Sequence, residues 1–188
     1  MCVGKGMLII RGEQSPYFAM DSNDHAPLVT AKELRDDKPV EIRNFVRVEI
    51  LPLDSLTSTN PDDWKVRWDE PSLPSWFEED APLWNEKCLQ DMVTVIVPKW
   101  IEEGIGGYLD LRGTAVKTLG NLEKVNGSLY LRGTAVKTLG NLKECGYLDL
   151  QGTAVKTLGN LKECGSLYLQ GTQAVDTGKT KIGRIIRF

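Results

Sequence analysis

Hydrophobic positions in the second half of the chain recur with a fixed period. Leucines stand two residues apart in GYLDL and GSLYL, and each stretch leads into GTAVKTLGNL or a partial copy. The copies start at Arg112, Arg132, Gln151 and Gln170, which gives steps of 20, 19 and 19 residues. Residues two apart share one side of a strand. A period of this length is typical of a solenoid with stacked coils.

Each repeat has six apolar positions that we expect to face the interior of one coil. In the second repeat they are Leu129, Leu131, Val136, Leu139, Leu142 and Cys145. The segment after each strand is rich in Gly, Thr and Asn, which favour turns, and it is too short for a three-turn helix. We therefore expect an irregular, 3₁₀-like or short-strand return arm, and coils that are stable only when stacked.

The repeat resembles a known architecture. The stretch Leu129-x-Leu131-x-x-Thr134-x-Val136 resembles the strand-and-turn part of a leucine-rich repeat, with Thr134 in the usual Asn or Cys position. GSLYL and GYLDL are also similar to the coils of receptor L domains. The resemblance covers about residues 105–175 and implies a right-handed β-solenoid of about four coils. It implies little about activity, because a fold does not fix function.

The rest of the chain predicts an α+β protein in which a mixed α/β region caps the solenoid. Strands are expected at Gly6–Arg11, Val40–Leu53 and Trp64–Trp68, and a short helix at Thr30–Asp36. Apolar residues at helical spacing predict a helix from Leu83 to Ile96 and a turn at Trp100–Glu103. The predicted units are a β-rich region (1–82), a capping helix (83–104), the solenoid (105–175) and a capping strand (176–188).

Composition and charge support a two-part protein. The chain has 188 residues, of which 41% are apolar and 26% charged, as in globular proteins. Residues 1–104 carry 11 basic and 20 acidic side chains, a net charge of −9, whereas residues 105–188 carry 12 and 6, a net of +6. No membrane-length apolar run or signal peptide is evident. Together with the expectation of free buried thiols, this predicts a cytoplasmic protein without membrane contact.

The cysteines and the single histidine give little sign of chemistry. Cys145 and Cys164 occupy the same repeat position, so we expect two buried thiols, with a disulfide between adjacent coils as the alternative. There is no C-x-x-C pair, and His25 lies in the turn-like SNDHAP, where an exposed loop histidine is expected. DTGKTK lacks the first glycine of a phosphate-binding loop. We expect no metal, no cofactor and no enzyme; an unrecognised N-terminal active site is the alternative.

The outer face of the solenoid sheet is the main candidate site. If the leucines face inward, their neighbours form three outward columns that mix tyrosine, serine, aspartate, arginine and glutamine. Tyr and Arg are the residue types that dominate interface hot spots. The alternative is that tyrosines only pack over serines of the next coil. The candidate residues are Tyr108, Asp110, Arg112, Tyr130, Arg132, Tyr147, Asp149 and Tyr168.

Two further sets are secondary candidates. Lys117, Lys137 and Lys156 repeat once per coil, which suits phosphate contact but also follows from duplication alone. Trp76 and Phe77 lie in the acidic LPSWFEEDAPLW and could form an aromatic patch. Alternatively, the tryptophans fill the junction between cap and solenoid.

These patterns favour a non-catalytic protein-binding module, either an inhibitor or an adaptor. A phage- or mobile-element-encoded inhibitor is one setting that fits. The alternative is a nucleic-acid-binding or DNA-mimicking protein that acts on a nucleic-acid enzyme. The expected partner is a protein, and the expected state is a monomer or a homodimer paired through the KIGRIIRF edge.

Overall fold

The N-terminal region is built on a three-stranded antiparallel sheet. The computed structural model describes residues 2–172 and 175–187. Strands β1 (Lys5–Ile10), β2 (Phe45–Pro52) and β3 (Trp64–Trp68) lie in that order in the sheet. The expected alternation in β2 is confirmed, because Val46, Val48 and Ile50 are all fully buried. The second strand is shorter than predicted, since residues Val40–Ile42 form a 3₁₀ turn instead.

The first helix differs from the sequence-based prediction. Helix α1 spans His25–Ala31 rather than Thr30–Asp36. It begins there because the Asp24 side chain accepts the His25 N–H at its N-terminus, and Pro27 lies in the first turn, where a missing N–H costs nothing. The helix covers a small second core at the sheet, formed around Leu8, Ile10, Leu28 and Phe45.

A longer helical segment connects the sheet to the solenoid. After a single turn, α2 (Ser75–Glu78), the chain forms α3 (Ala81–Asp91), a π-helical turn (Met92–Ile96) and α4 (Val97–Glu103) without a break. The π turn precedes Pro98, which has no N–H and whose ring would clash with a carbonyl in a regular helix. Gly104, with φ of 84°, ends the segment in a conformation that favours glycine.

The second half of the chain is a β-solenoid of about four turns. Strands β4 (Leu109–Asp110), β5 (Lys124–Tyr130), β6 (Glu144–Asp149), β7 (Glu163–Tyr168) and β8 (Lys181–Ile186) form one parallel sheet in chain order. Leu129, Leu148 and Leu167 lie in register. The predicted interior positions are confirmed as buried: Leu129, Leu131, Val136, Leu139, Leu142 and Cys145. As expected, the return arms are mostly irregular turns.

One β-bulge explains why the first repeat step has 20 residues. Between β5 and β6 the register shifts after Val125, so that Asn126 and Gly127 oppose the single residue Gly146. The glycines in this column let neighbouring backbones approach closely. A Cβ added at Gly146 would lie 2.8 Å from the Gly127 carbonyl oxygen, which is too short for a real contact.

The threonine of each repeat closes the turn after its strand. The Thr134 hydroxyl donates to the Leu131 carbonyl over 2.7 Å, and Thr153 does the same to Leu150 over 2.8 Å. Both side chains are buried. This bond gives the threonine a defined role at the position where a leucine-rich repeat carries Asn or Cys.

The N-terminal region lies against the first coil at two separate edges. At the strand, the Gly4 N–H donates to Asp110 O over 2.7 Å and the Asn23 side-chain amide donates to Tyr108 O over 2.9 Å. At the return arm, the Leu56 N–H donates to Thr118 O over 3.0 Å. Since these bonds occupy the open edge of the first coil, the coil does not end in unpaired backbone there.

Tryptophans fill much of the junction between these two parts. Trp64, Trp84 and Trp100 are buried in a single core that runs from the N-terminal sheet through the long helix into the solenoid. The ring centroids of Trp64 and Trp100 lie 6.5 Å apart. The two halves of the chain therefore share one apolar core.

The last segment adds one more strand to the solenoid, as the sequence predicted. The Leu169 N–H donates to Ile186 O over 3.0 Å, and the Leu158 N–H donates to Asp176 O over 3.1 Å. Ile185 in β8 is 43% exposed, because the described residues place no further coil over it. Pairing of two copies through this edge stays a prediction. Among the described residues, no helix combines the length and apolarity that crossing a membrane requires.

Replacing Trp100 by Ala should destabilise the whole protein. Trp100 is 1% exposed, and truncating a buried Trp costs about 3–5 kcal/mol. Leu83→Ala is the matched control on the same helical segment, because Leu83 is 51% exposed and its loss should cost less than about 0.5 kcal/mol. Urea unfolding followed by circular dichroism measures both changes. Similar small effects from the two substitutions would contradict the shared core.

Candidate partner-binding face

The outward side chains of β5, β6 and β7 form one patch on the sheet. Ser128, Tyr147 and Ser166 lie in register in one column, and Tyr130, Asp149 and Tyr168 lie in the next. The tyrosines therefore alternate between columns from coil to coil, as the sequence indicated. All three are partly exposed. We call Tyr130, Tyr147 and Tyr168 the tyrosine face.

The three rings contact each other diagonally across the columns. The Tyr147 ring centroid lies 5.3 Å from that of Tyr130 and 5.1 Å from that of Tyr168, with tilts of 44° and 40°. The Arg112 guanidinium carbon lies 5.4 Å from the Tyr130 centroid and extends the row by one coil. These distances are within the range of favourable aromatic and cation–π contacts. The rings contact each other, so the alternative in which tyrosines only pack over serines of the next coil does not describe them.

The two aspartates of the candidate set lie beneath this surface. Asp110 and Asp149 are 2% and 7% exposed, so the expectation that they face outward toward a partner is wrong. Asp149 accepts the Gln151 N–H over 2.9 Å, and Asp110 accepts the Arg112 N–H over 3.0 Å. A short acidic side chain at the end of a strand commonly bonds to the backbone two residues on. Their role in the structure is to fix the turn.

Arg112 is tied to the buried Asp110. Its Nη2 lies 2.6 Å from Asp110 Oδ2 and its Nε lies 2.9 Å from Oδ1. These bonds raise the pKa of Arg112. The guanidinium is thereby held in one orientation at the rim of the tyrosine face. Arg132, the equivalent residue of the next coil, is exposed.

The surroundings of the central tyrosine raise the pKa of its hydroxyl. Desolvation, together with the charges of Asp149, Tyr168 and Tyr130, raises the pKa of Tyr147 to about 12. Tyr147 in the folded protein therefore keeps its proton to a higher pH than an ordinary tyrosine, whose pKa is near 10.

Tyr108 belongs to a different environment from the other tyrosines. Its hydroxyl donates to Asp24 Oδ2 over 2.5 Å, and burial and this bond raise its pKa. The first coil therefore contributes its tyrosine to the contact with the N-terminal region. In the described part of the chain, contacts between tyrosine rings of adjacent coils occur only among the later coils.

The lysine row lies on the return arms and not on the sheet. Lys117, Lys137 and Lys156 are exposed, and Lys117 Nζ lies 3.7 Å from Asp54 Oδ2. Other lysines of the solenoid pair with glutamates of adjacent coils, as in Lys124–Glu144 at 3.0 Å. Surface pairs of this kind contribute little stability, but they lower the positive potential available to a phosphate backbone.

The aromatic patch proposed around Trp76 and Phe77 does not form as expected. Phe77 is fully buried and meets the rings of Trp68 and Trp76 edge-on at 5.1 and 5.6 Å. Trp76 is partly buried, and its indole N–H donates to Arg43 O over 2.8 Å. Because Phe77 is inside the core, its ring cannot contact a partner.

His25 is buried and not in an exposed loop, contrary to the sequence-based expectation. It is 5% exposed, with Nδ1 2.9 Å from Cys2 Sγ and Nε2 2.8 Å from Val48 O. Glu49 is the third member of this cluster. These residues are distant in sequence and no spacing motif links them. The one local signal was Asp24 before a helix start, which would have placed His25 on the helix.

The raised pKa of Tyr147 predicts a specific alkaline effect. An unfolded tyrosine loses its proton near pH 10, whereas Tyr147 in the folded protein keeps it up to about pH 12. The unfolded state then binds fewer protons between these values, so stability falls as pH rises. Tyr147→Phe should make this fall shallower in urea unfolding at pH 10–12, and should behave as wild type at pH 8. An unchanged slope would contradict the pKa shift.

Comparisons with known proteins give no match, so any conclusion about function rests on the fold and on the tyrosine face. No protein-family model, no curated protein and no solved structure matches the chain.

Proposed function

We propose that the chain is a protein-binding module whose contact surface is the tyrosine face of the solenoid sheet. The observation that carries the proposal is the row of three partly exposed tyrosine rings in mutual contact across three coils. Arg112 continues this row at one end. Partly exposed aromatic rings next to arginine are the composition that favours protein interfaces.

The rigid arrangement of these rings supports binding. A side chain that is already ordered loses little conformational entropy when a partner docks, and this loss is a major cost of association. The backbone under the rings is fixed by parallel pairing from β4 to β8. Tyr147 lies between the other two rings, and Tyr130 also contacts the guanidinium of Arg112.

Differences between the coils give the face its specificity. The arms GTAVKTLGNL are repeated, so they present the same groups in each full coil. The sheet positions vary: Tyr130 and Tyr168 stand in the column of the buried Asp149, and Arg132 is replaced by Gln151 and Gln170 in later coils. A partner that reads this surface would distinguish one end of the row from the other.

The biological role that fits is an inhibitor or adaptor in the cytoplasm. The tyrosine face is small and rigid, and no candidate set of catalytic residues lies on it. These properties fit a protein that acts by binding to the surface of another protein. The nucleic-acid alternative is weaker, because three solenoid lysines outside the lysine row pair with glutamates of neighbouring coils, and Lys117 of the row lies 3.7 Å from Asp54.

Replacing Tyr130 and Tyr147 together by Ala should weaken partner binding. Hot-spot residues contribute about 2 kcal/mol or more, which corresponds to a loss of about 30-fold or more in affinity. The partner is isolated from host lysate with wild-type protein and identified by mass spectrometry. Its affinity for purified wild-type and variant protein is then measured by calorimetry.

The control variant removes charge from the same coils without touching the sheet. Lys137→Ala with Lys156→Ala should leave the affinity for a protein partner within about twofold. Circular dichroism confirms that both double variants are folded. Unchanged affinity in the tyrosine variant, or a loss confined to the lysine variant, would contradict the proposal. The second result would favour a phosphate-bearing partner.

A further inference from the structure

A cluster of buried side chains in the N-terminal region is not explained by the binding face. It brings together Cys2 before β1, His25 at the start of α1 and Glu49 in β2, which are 3%, 5% and 2% exposed. Their ligand atoms all lie within 4.8 Å of one another. Asp24 and the half-exposed Asp69 border the same group. We call these five residues the Cys2 cluster.

The closest distances bring the sulfur of Cys2 next to the imidazole of His25 and to a carboxylate. Cys2 Sγ lies 2.9 Å from His25 Nδ1 and 3.0 Å from Asp24 Oδ1. His25 Nδ1 also lies 3.4 Å from Asp69 Oδ2. The backbone N–H of His25 points at the same sulfur over 3.2 Å.

The hydrogen bonds of this group indicate which lone pairs are left for a ligand. His25 Nε2 faces the Val48 carbonyl at 2.8 Å, and a carbonyl can only accept, so we assign the ring proton to Nε2. Nδ1 then presents a lone pair to the cluster. In this tautomer the Cys2 thiol supplies the one side-chain proton among Nδ1, Asp24 Oδ1 and Asp69 Oδ2. Asp24 Oδ1 also accepts the His25 backbone N–H over 2.8 Å, so the thiol proton is free to lie between Cys2 Sγ and His25 Nδ1. A metal ion would replace this proton and bind both atoms, because a metal-bound cysteine is deprotonated.

We propose that Cys2 Sγ, His25 Nδ1 and the Glu49 carboxylate bind a divalent metal of the zinc type, with Asp69 beside His25 at the edge of the site. Sulfur, imidazole nitrogen and carboxylate oxygen are the ligands that zinc takes in proteins. Zinc bonds of about 2.0–2.3 Å in a tetrahedron separate neighbouring ligands by about 3.3–3.7 Å. The 2.9 Å between Cys2 Sγ and His25 Nδ1 is shorter than this, so metal binding would move these two atoms apart by roughly 0.6 Å.

The surroundings hold the ligands as a metal site requires. The bond from His25 Nε2 to Val48 O fixes the imidazole, as outer contacts of metal-bound histidines commonly do. Glu49 accepts the Val3 N–H over 3.1 Å and pairs with Arg67. A carboxylate offers about four lone-pair sites, so two of those on Glu49 remain for a metal.

The charges around Cys2 favour a bound cation over a reactive thiolate. A nucleophilic cysteine needs positive surroundings that stabilise the thiolate. Here Asp24, Glu49 and Asp69 border the sulfur–imidazole pair, and Arg67 offsets one of them. A divalent metal would supply the missing positive charge.

A metal here would also stabilise the cover of the solenoid. It would link the start of the chain, helix α1 and strand β2. Gly4 and Asn23, which bond to the first coil, lie within two residues of Cys2 and His25. Because a metal that binds only the folded state adds to its stability, zinc should raise the melting temperature in proportion to the logarithm of its free concentration. This site does not depend on the proposed function of the tyrosine face.

The test uses the full chain, reduced, stripped with a chelator and titrated with Zn²⁺ and with Co²⁺ as a spectroscopic probe. We expect one metal ion per chain by calorimetry, thiolate-to-cobalt charge transfer and a rise in melting temperature. Cys2→Ala should abolish the charge-transfer band and the thermal shift. All four cysteines are free and buried, so Cys164→Ala controls for adventitious thiol binding and should retain both signals.

A second variant keeps the test decisive if Cys2→Ala does not fold. Asp69 is half exposed, so Asp69→Asn should fold and weaken metal binding by about 10–100-fold. One-to-one binding that is equal in wild type, Cys2→Ala and Asp69→Asn would overturn the proposal. The proposal would also be overturned if the wild-type protein bound no metal at micromolar concentrations. This holds whether or not Cys2 reacts rapidly with an alkylating agent.

Discussion

Backbone pairing between successive coils is the interaction on which the rest of this structure depends. Each coil is too small to bury its own leucines, and it gains a core and hydrogen-bond partners only from the coils beside it. Equivalent leucine N–H groups donate to the next coil throughout, from Leu111 to Tyr130 O and from Leu131 to Asp149 O. The surface features of the solenoid follow from this regular ladder.

A ladder of this kind needs a cover where it starts. The first coil is paired at its strand by the segments around Gly4 and Asn23, and at its return arm by the segment around Leu56. The core continues through Trp100 into the N-terminal sheet. The N-terminal region therefore completes the solenoid as well as having its own core, and the proposed metal would act on this cover.

The repeat made the solenoid predictable from the sequence, and the same reasoning failed where contacts were not periodic. Leu129, Val136 and their equivalents could be assigned to the interior because the same apolar pattern recurs in each repeat. His25 and Phe77 could not, because their burial depends on partners far away in sequence, such as Cys2 and Trp68. Asp149 was misplaced for a local reason: alternation predicts an outward position, but a backbone N–H two residues on draws the carboxylate inward.

The tyrosine face was predicted in its composition but not in its packing. The alternating columns were visible in the repeats, whereas the diagonal ring contacts depend on side-chain tilts that alternation does not set. The contact of Tyr108 with Asp24 crosses between the two halves of the chain and left no sequence signal.

Amide hydrogen exchange tests most directly the claim that the coils depend on stacking upon the N-terminal cover. The N–H groups of Leu111, Leu131, Leu150 and Leu169 occupy equivalent positions in successive coils. Local opening is easiest where fewest neighbours hold a segment, so we expect protection to fall from Leu111 to Leu169, by about tenfold or more overall. Equal protection in all four coils, or the highest protection at Leu169, would contradict it.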